Sequence, residues 1–242
     1  MAYRDPVRTP PLHLRILCDF DGTITREDVT DALLDACADP AWAEIEELWT
    51  AGAIGSRECL TRQASLLRGE PSDFDAIIDE IQVEAGFTEF VAYCSLRGFR
   101  LEIVSDGLDH AIRRILQRLA LTIPFRANGL ARGVEGSWAL RTPHSDPGCA
   151  ADAAHCKCRS GAAFGGDAFT VVIGDGRSDI CVAGAADLVF AKDGRSGPSP
   201  LLRHAREQRL HVEPFRTFYD VMAGLERRFG GARRPEERQA AS

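Results

Sequence analysis

Short apolar runs alternate with segments of helical spacing along this chain. Leu14 to Phe20 (LRILCDF) is a short apolar run that ends in Asp-Gly-Thr, the pattern of a buried strand entering a loop. From Asp28 to about Leu67 the spacing changes. Val29, Leu33, Leu34 and Cys37, then Trp42, Ile45, Leu48 and Trp49, recur as on one face of a helix, with a break at Asp39-Pro40. Further helices are predicted over Ser56 to Leu67 and Ser72 to Ala85. Strand patterning resumes at Arg100 to Ser105, followed by a helix over Leu108 to Leu119. Pro124 to Leu130 and Val134 to Leu140, separated by Gly133, predict a hairpin. Phe169 to Ile173 is a third strongly apolar strand, and a helix is expected from Ser178. Leu188 to Ala191 reads as another strand, and Leu201 to Gln208 and Thr217 to Arg228 as closing helices.

Strands alternating with helices imply an α/β protein with a parallel sheet covered on both faces. The helical block between the first two strands then reads as a cap inserted after the first strand. The expected division is a flexible N-terminal arm over 1–12, a core over 13–26 and 87–230, a helical cap over 27–86 and a flexible tail over 231–242. Ligands in such sheets sit at the carboxyl ends of the strands. The three strongest strands end there in Asp19/Asp21, Ser105 and Asp175.

Residues i and i+2 of an extended chain point the same way, so Asp19 and Asp21 share a face with Phe20 turned to the core. Close carboxylates repel, and a hard cation such as Mg²⁺ relieves that. Asp175 can add a carboxylate, and Asp179 lies four residues on, on the same side of a helix start. One carboxylate can attack phosphorus while a second protonates the leaving alcohol. Each motif alone is also an ordinary turn or helix cap. Their placement in order after three buried strands is what favours chemistry.

Composition narrows the partners. The net charge of −7 excludes a bulk nucleic-acid surface, and no run of apolar residues is long enough to span a membrane. The opening residues carry Arg4, Asp5 and Arg8 in place of the apolar stretch of an export signal, so a cytoplasmic location with reduced thiols is expected for the eight cysteines. The expected partner is a small phosphorylated metabolite.

The segments Cys18-Asp19-Phe20-Asp21-Gly22-Thr23-Ile24-Thr25, Ser105 after Ile103-Val104, Lys157, and Gly174-Asp175-Gly176-Arg177-Ser178-Asp179 resemble the four motifs of the haloacid-dehalogenase-like (HAD) phosphatases. The resemblance covers about residues 14 to 225, and a cap between the first two motifs is similar to the phosphoserine-phosphatase-like branch. It implies a Rossmann-like core and a magnesium-dependent phosphatase working through a phosphoaspartate. Asp19 would be nucleophile and metal ligand. Asp21 would be the acid/base and would reach the metal through its backbone carbonyl. Ser105 and Lys157 would hold the phosphoryl group, Asp175 and Asp179 would complete the metal shell, and Thr23, Asp106 and Gly107 would line the phosphate loop. A register shifted by two residues would offer Arg159 in place of Lys157.

Pro143-His144-Ser145 through Cys156-Lys157 resembles two groups within that family, the methionine-salvage phosphatases and the phosphoethanolamine/phosphocholine phosphatases. The opening motif and Gly86 to Ala92 look most like the former, whereas Ser105-Asp106-Gly107 departs from its usual Ser-Gly-Gly. A phosphoserine, phosphoethanolamine or phosphocholine phosphatase, a phosphotransferase or mutase of the same fold, and a non-catalytic binding protein are the other readings. His144, Cys149, His155, Cys156 and Cys158 fall within fifteen residues, which leaves two readings, a structural Zn²⁺ or a metal-free loop of reduced thiols. In the cap, Glu27, Ser56, Arg57 and Arg62 are polar groups able to face a substrate. Arg62 resembles a substrate-contacting arginine of related caps, and Trp42 and Trp49, seven apart, are expected to pack in the core.

Overall fold

Leu14–Cys18 (β1) is buried along its whole length, because it lies inside a sheet whose two faces are both covered, Leu14, Ile16 and Cys18 packing on one side and Leu17 on the other. The computed structural model describes residues 13–133, 136–162, 168–194 and 197–230. The expected arm over 1–12, the tail over 231–242 and the first two residues of the expected strand 134–140 lie outside the described residues.

Five helices follow β1: Val29–Cys37 (α1), Trp42–Thr50 (α2), Ser56–Leu66 (α3), Pro71–Glu80 (α4) and Phe87–Arg97 (α5). Asp28 caps α1 by accepting from the amides of Thr30 and Asp31, which meets two of the donors that a helix start leaves unpaired. Pro71 opens α4 with its fixed φ, inside a capping box of Glu70 and Asp73. The chain leaves for the block of the first four helices and returns from it, ahead of α5, side by side. Thr25 pairs with Val83, and the amides of Arg26 and Glu84 donate to the carbonyls of Gln82 and Ile24 at 3.0 and 2.8 Å. That two-stranded stem fixes the block over the carboxyl end of β1.

Arg100–Leu108 (β2) and Asp109–Arg118 (α6) come next, then the hairpin Phe125–Arg132 (β3) and Trp138–Arg141 (β4). Lys157–Ala162 (α7), Phe169–Gly174 (β5), a 3₁₀ turn at Arg177–Asp179 and Ile180–Ala183 (α8) carry the chain across the sheet. Leu188–Gly194 (β6), Gly197–Pro198 (β7), Pro200–Glu207 (α9), Val212–Phe215 (β8) and Phe218–Phe229 (α10) complete the fold. The sheet order is β4-β3-β2-β1-β5-β6-β7, and β8 also pairs with β6. All pairings are parallel except those of β4 and β7. The expected α/β architecture with a parallel sheet is therefore observed.

Alternate residues of the central strands feed cores on opposite faces. Ile16, Cys18, Ile103, Val171 and Ile173 pack against Phe87, Phe90 and Phe218, while Leu17, Val104 and Val172 meet Val182. Helix α6 turns Ala111, Ile112, Ile115 and Leu116 inward at a helical period. Among the described residues no helix is long and apolar enough to cross a membrane.

Candidate active site

Strands β1 and β5 are neighbours in register, Cys18 beside Ile173, so the residues that follow them emerge together. The Asp19 amide donates to the Ile173 carbonyl at 2.8 Å, which keeps the two chains paired one step beyond the strand. The ligand oxygens of Asp19, Asp175 and Asp179 consequently lie within 4.8 Å of one another. Lys157 enters from the first turn of α7. Its ammonium donates to Asp19 Oδ1 at 2.6 Å and to Asp179 Oδ1 at 2.7 Å, and it is fully buried.

The rest of the site holds these groups in place. Thr23 donates to Asp175 Oδ1 at 2.7 Å. The amides of Asp175 and Gly176 donate to Asp179 Oδ2 at 3.2 and 3.0 Å, which turns that carboxylate under the loop. Gly22 sits at φ +71°, and a Cβ there would stand 2.7 Å from Asp175 Oδ2, so both the turn and the close approach require glycine. Asp21 accepts from the Val29 amide at 3.0 Å and from Ser105 Oγ at 3.2 Å, and Ser105 in turn accepts from the Gly107 amide at 2.9 Å.

Electrostatics follow from crowding. Burial first, then the charge of Asp179, holds the Asp19 carboxyl well above the usual range. Asp175 is pushed up to about 6 by burial and again by Asp179. Burial alone would depress Lys157, but Asp179 and Asp19 outweigh it and keep its ammonium protonated. One ammonium shared among three carboxylates leaves a surplus of negative charge. The donor set is carboxylate oxygen throughout, which fits a hard cation such as Mg²⁺.

Several expected residues take other places. Thr23 is buried and anchors Asp175, so it does not line the cavity above the site. Arg62 pairs with Glu58 on an exposed face of α3, away from that cavity. Arg57 is turned to Asp152. Arg159 points outward and pairs with Asp146, leaving Lys157 as the cation at the cluster. Trp42 packs against the core, as its spacing suggests. Trp49 lines the cavity instead, because α2 lies at its rim and buries none of its residues.

A structural zinc is not supported. Among the described residues, the Cys/His cluster offers no three ligand atoms as close together as those of Asp19, Asp175 and Asp179. His155 has both ring nitrogens engaged, with the Ser105 carbonyl at 2.8 Å and Ser160 Oγ at 2.6 Å. Burial pushes its imidazole down to about 4, so it stays neutral and acts as a clamp between β2 and α7. His144 stacks on His155 with ring centres 4.9 Å apart, and Cys156 Sγ lies 3.2 Å from Cys158 Sγ.

Sequence reasoning missed two contributors, Asn128 and Lys192, and the bracing role of a third residue. Asp106, expected to line the phosphate loop, accepts from Ser56 Oγ at 2.6 Å, the His155 amide at 2.7 Å and Asn128 Nδ2 at 3.3 Å. It thereby ties α3, β3 and the approach to α7 together. Asn128 carried no periodic signal of this role. Lys192 donates to the Gly22 carbonyl at 2.7 Å and pairs with Glu84, bracing the turn after β1 against the stem.

The sequence profile of the haloacid dehalogenase-like hydrolases matches residues 16–184. A 2-hydroxy-3-keto-5-methylthiopentenyl-1-phosphate phosphatase from Geobacillus kaustophilus is 34% identical over 221 residues, covering 88% of this chain and 96% of its own. The enzyme of the same name from Geobacillus thermodenitrificans is 32% identical, with the same coverage. Among solved structures, a phosphoserine phosphatase captured as a phospho-aspartyl intermediate analogue superimposes with a TM-score of 0.67 at 20% identity, over 88% of this chain and 98% of that one. At that identity it supports the fold.

Proposed function

The chain belongs to the haloacid dehalogenase-like hydrolases and is a phosphatase of that family, and from this premise we propose that it hydrolyses a small phosphomonoester through a phosphoaspartate on Asp19. The observation that carries the reading is the meeting of Asp19, Asp175 and Asp179 around one point, with Lys157 at 2.6 Å from Asp19.

Asp19, Asp175 and Asp179 would hold Mg²⁺, with the Asp21 carbonyl as a further ligand. Bound there, Mg²⁺ supplies positive charge to the oxygens of the transferring phosphoryl group. A carboxylate oxygen of Asp19 attacks phosphorus, and Lys157 and Ser105 hold the equatorial oxygens. Asp21 protonates the departing alcohol oxygen. Burial, then the charge of Asp28, raises its carboxyl well above the usual range, which suits a proton donor. Asp21 then takes a proton from water, which attacks the acyl phosphate, releases phosphate and restores Asp19. The helical block 27–86 acts as the cap that covers the reacting centre and limits water.

The test is phosphate release from p-nitrophenyl phosphate with and without metal. Turnover is expected to need Mg²⁺ and to stop in excess EDTA, and acid-quenched enzyme should carry a phosphoryl label that hydroxylamine removes. Unchanged release in EDTA would sink the reading. The substrate named for the relatives and phosphoserine are the natural esters to assay beside it.

Gly107→Ala is a second test. A Cβ at that position would overlap the Asp21 carboxylate and crowd Ser105 Oγ. Displacing the proton donor by about 1 Å is expected to lower kcat by roughly 10²-fold. Thermal unfolding should shift far less than the rate, because the added methyl disturbs the site and not the packed core. A variant with normal kcat would show that Asp21 need not stand where it does.

A further inference from the structure

Cys149, Cys156, Cys158 and Cys181 are free thiols, and the fold draws them into a row beside α7. Cys149 is in hydrogen-bonding contact with Cys156, Cys156 Sγ stands 3.2 Å from Cys158 Sγ, and Cys158 is in contact with Cys181 of α8. Cys181 is far from the others in sequence, so only the fold reveals the group. Among the described residues, no three of these sulfurs close to within 4.8 Å of one another, so they make a row and not a cage around an ion. None of the four lines the cavity over Asp19, and none has a part in the phosphoryl step.

The nearest pair stands on either side of Lys157. Cys156 precedes it, with its amide donating to the His144 carbonyl at 3.0 Å and its carbonyl accepting from the Ser160 amide at 3.2 Å. Cys158 follows it in the first turn of α7. Residues two apart have Cα atoms at most about 7 Å from each other, and the turn brings them inside the span that a disulfide bridges. Cys158 is partly exposed and Cys156 is buried, so a dissolved oxidant meets Cys158 first. Burial pushes both thiols above the usual range, which makes each a slow nucleophile by itself. A second thiol in contact changes the outcome, because it captures the first oxidised sulfur before further oxidant does.

We propose that Cys156 and Cys158 are an oxidation site, and that the disulfide they form switches the phosphatase off by displacing Lys157. This rests on the phosphatase reading above and adds a control to its site. The oxidant is a hydroperoxide, in the simplest case hydrogen peroxide. One peroxide oxygen passes to Cys158 Sγ, giving a sulfenic acid and one water. Cys156 Sγ then attacks that sulfur. The S–S bond forms, the S–O bond breaks, and hydroxide leaves with the Cys156 proton as a second water. The two thiols lose two electrons and the peroxide gains them. A thiol reductant reverses the bond by exchange. The ring closes across one residue, and that residue is Lys157. Its ammonium is fully buried and donates to Asp19 and Asp179 at 2.6 and 2.7 Å. Drawing the sulfurs together reshapes the turn from which Lys157 springs, and moves its ammonium away from the nucleophile and from the phosphoryl oxygens.

Reduced protein is assayed on p-nitrophenyl phosphate with Mg²⁺, treated with hydrogen peroxide, freed of it and assayed again. Peptide mapping, with the remaining thiols alkylated, is expected to place one disulfide between Cys156 and Cys158. The rate kcat is expected to fall about 10²-fold, the scale of a displacement of about 1 Å at a catalytic group. Dithiothreitol is expected to restore both thiols and the rate. Cys158→Ser and Cys156→Ala should each match the parent when reduced and keep that rate through peroxide. A Cys156–Cys158 bond with kcat unchanged overturns the switch. An equal loss of rate in either variant overturns it too, as does a map with no disulfide or with one that joins Cys149 or Cys181 in place of this pair. In all these cases turnover by the reduced protein leaves the phosphatase reading standing. A reduced protein that releases no phosphate overturns that reading and the switch with it.

Discussion

Asp19→Asn is expected to lower kcat on p-nitrophenyl phosphate on the order of 10⁴-fold, about 5 kcal/mol of transition-state stabilisation. An amide oxygen carries no formal charge, attacks phosphorus poorly and weakens the divalent site. The structure separates this loss from a loss of fold. Asp19 is buried against Lys157, but Lys157 keeps Asp179 at 2.7 Å when Asp19 is neutralised. Three carboxylates crowd one point, so removing a charge also relieves repulsion. Thermal unfolding without metal is therefore expected to stay within a few degrees of the parent while turnover disappears. No phosphoryl label should appear on the quenched variant. Turnover equal to that of the parent would refute Asp19 as nucleophile, and an unfolded variant would refute the account of its surroundings.

The parts of the fold legible in the sequence are those whose signal is local. Leu14 to Cys18 and Phe169 to Ile173 are apolar but for Arg15 and Thr170 because both faces of a parallel strand are covered, and that pattern places the carboxylates that follow. Helix α5 was harder to see. Phe87, Phe90 and Cys94 do face inward at helical spacing, but the stretch sits between a stem residue and a strand, and no helix is expected there from the pattern. Strand β8 is short, carries Pro214 and sits on the outer side of β6, where a missing N–H costs little, so nothing local marks it. At the site, Asp19 and Asp175 were readable because a strand presents each at its carboxyl end. Lys157 lies in a segment without periodicity, and only resemblance pointed to it. Zinc and the role of Trp49 failed for one reason, that chemical type and spacing do not state which way a side chain turns. His155 spends its nitrogens on Ser105 and Ser160, and Trp49 points into a cavity formed by residues from three distant stretches of chain.

Lys157→Met carries the largest expected effect on stability. Methionine fits the volume but leaves Asp19 and Asp179, both buried, without their shared cation. Removing one partner of a buried ion pair costs about 3–5 kcal/mol, mainly through the charges left behind. The parent's dependence on this lysine should be flat across neutral pH. Its folded pKa is raised above the unfolded value, so its contribution is fully present below about pH 10 and fades only as pH climbs through the folded value. A divalent cation can replace the lost charge at the same carboxylates. Mg²⁺ is therefore expected to raise the melting temperature of Lys157→Met more than that of the parent, while activity stays low because no ammonium holds the phosphoryl oxygens. Equal stabilisation of both proteins by Mg²⁺ would mean that Lys157 and the metal do not draw on the same carboxylates, and the charge balance argued for the site would be wrong.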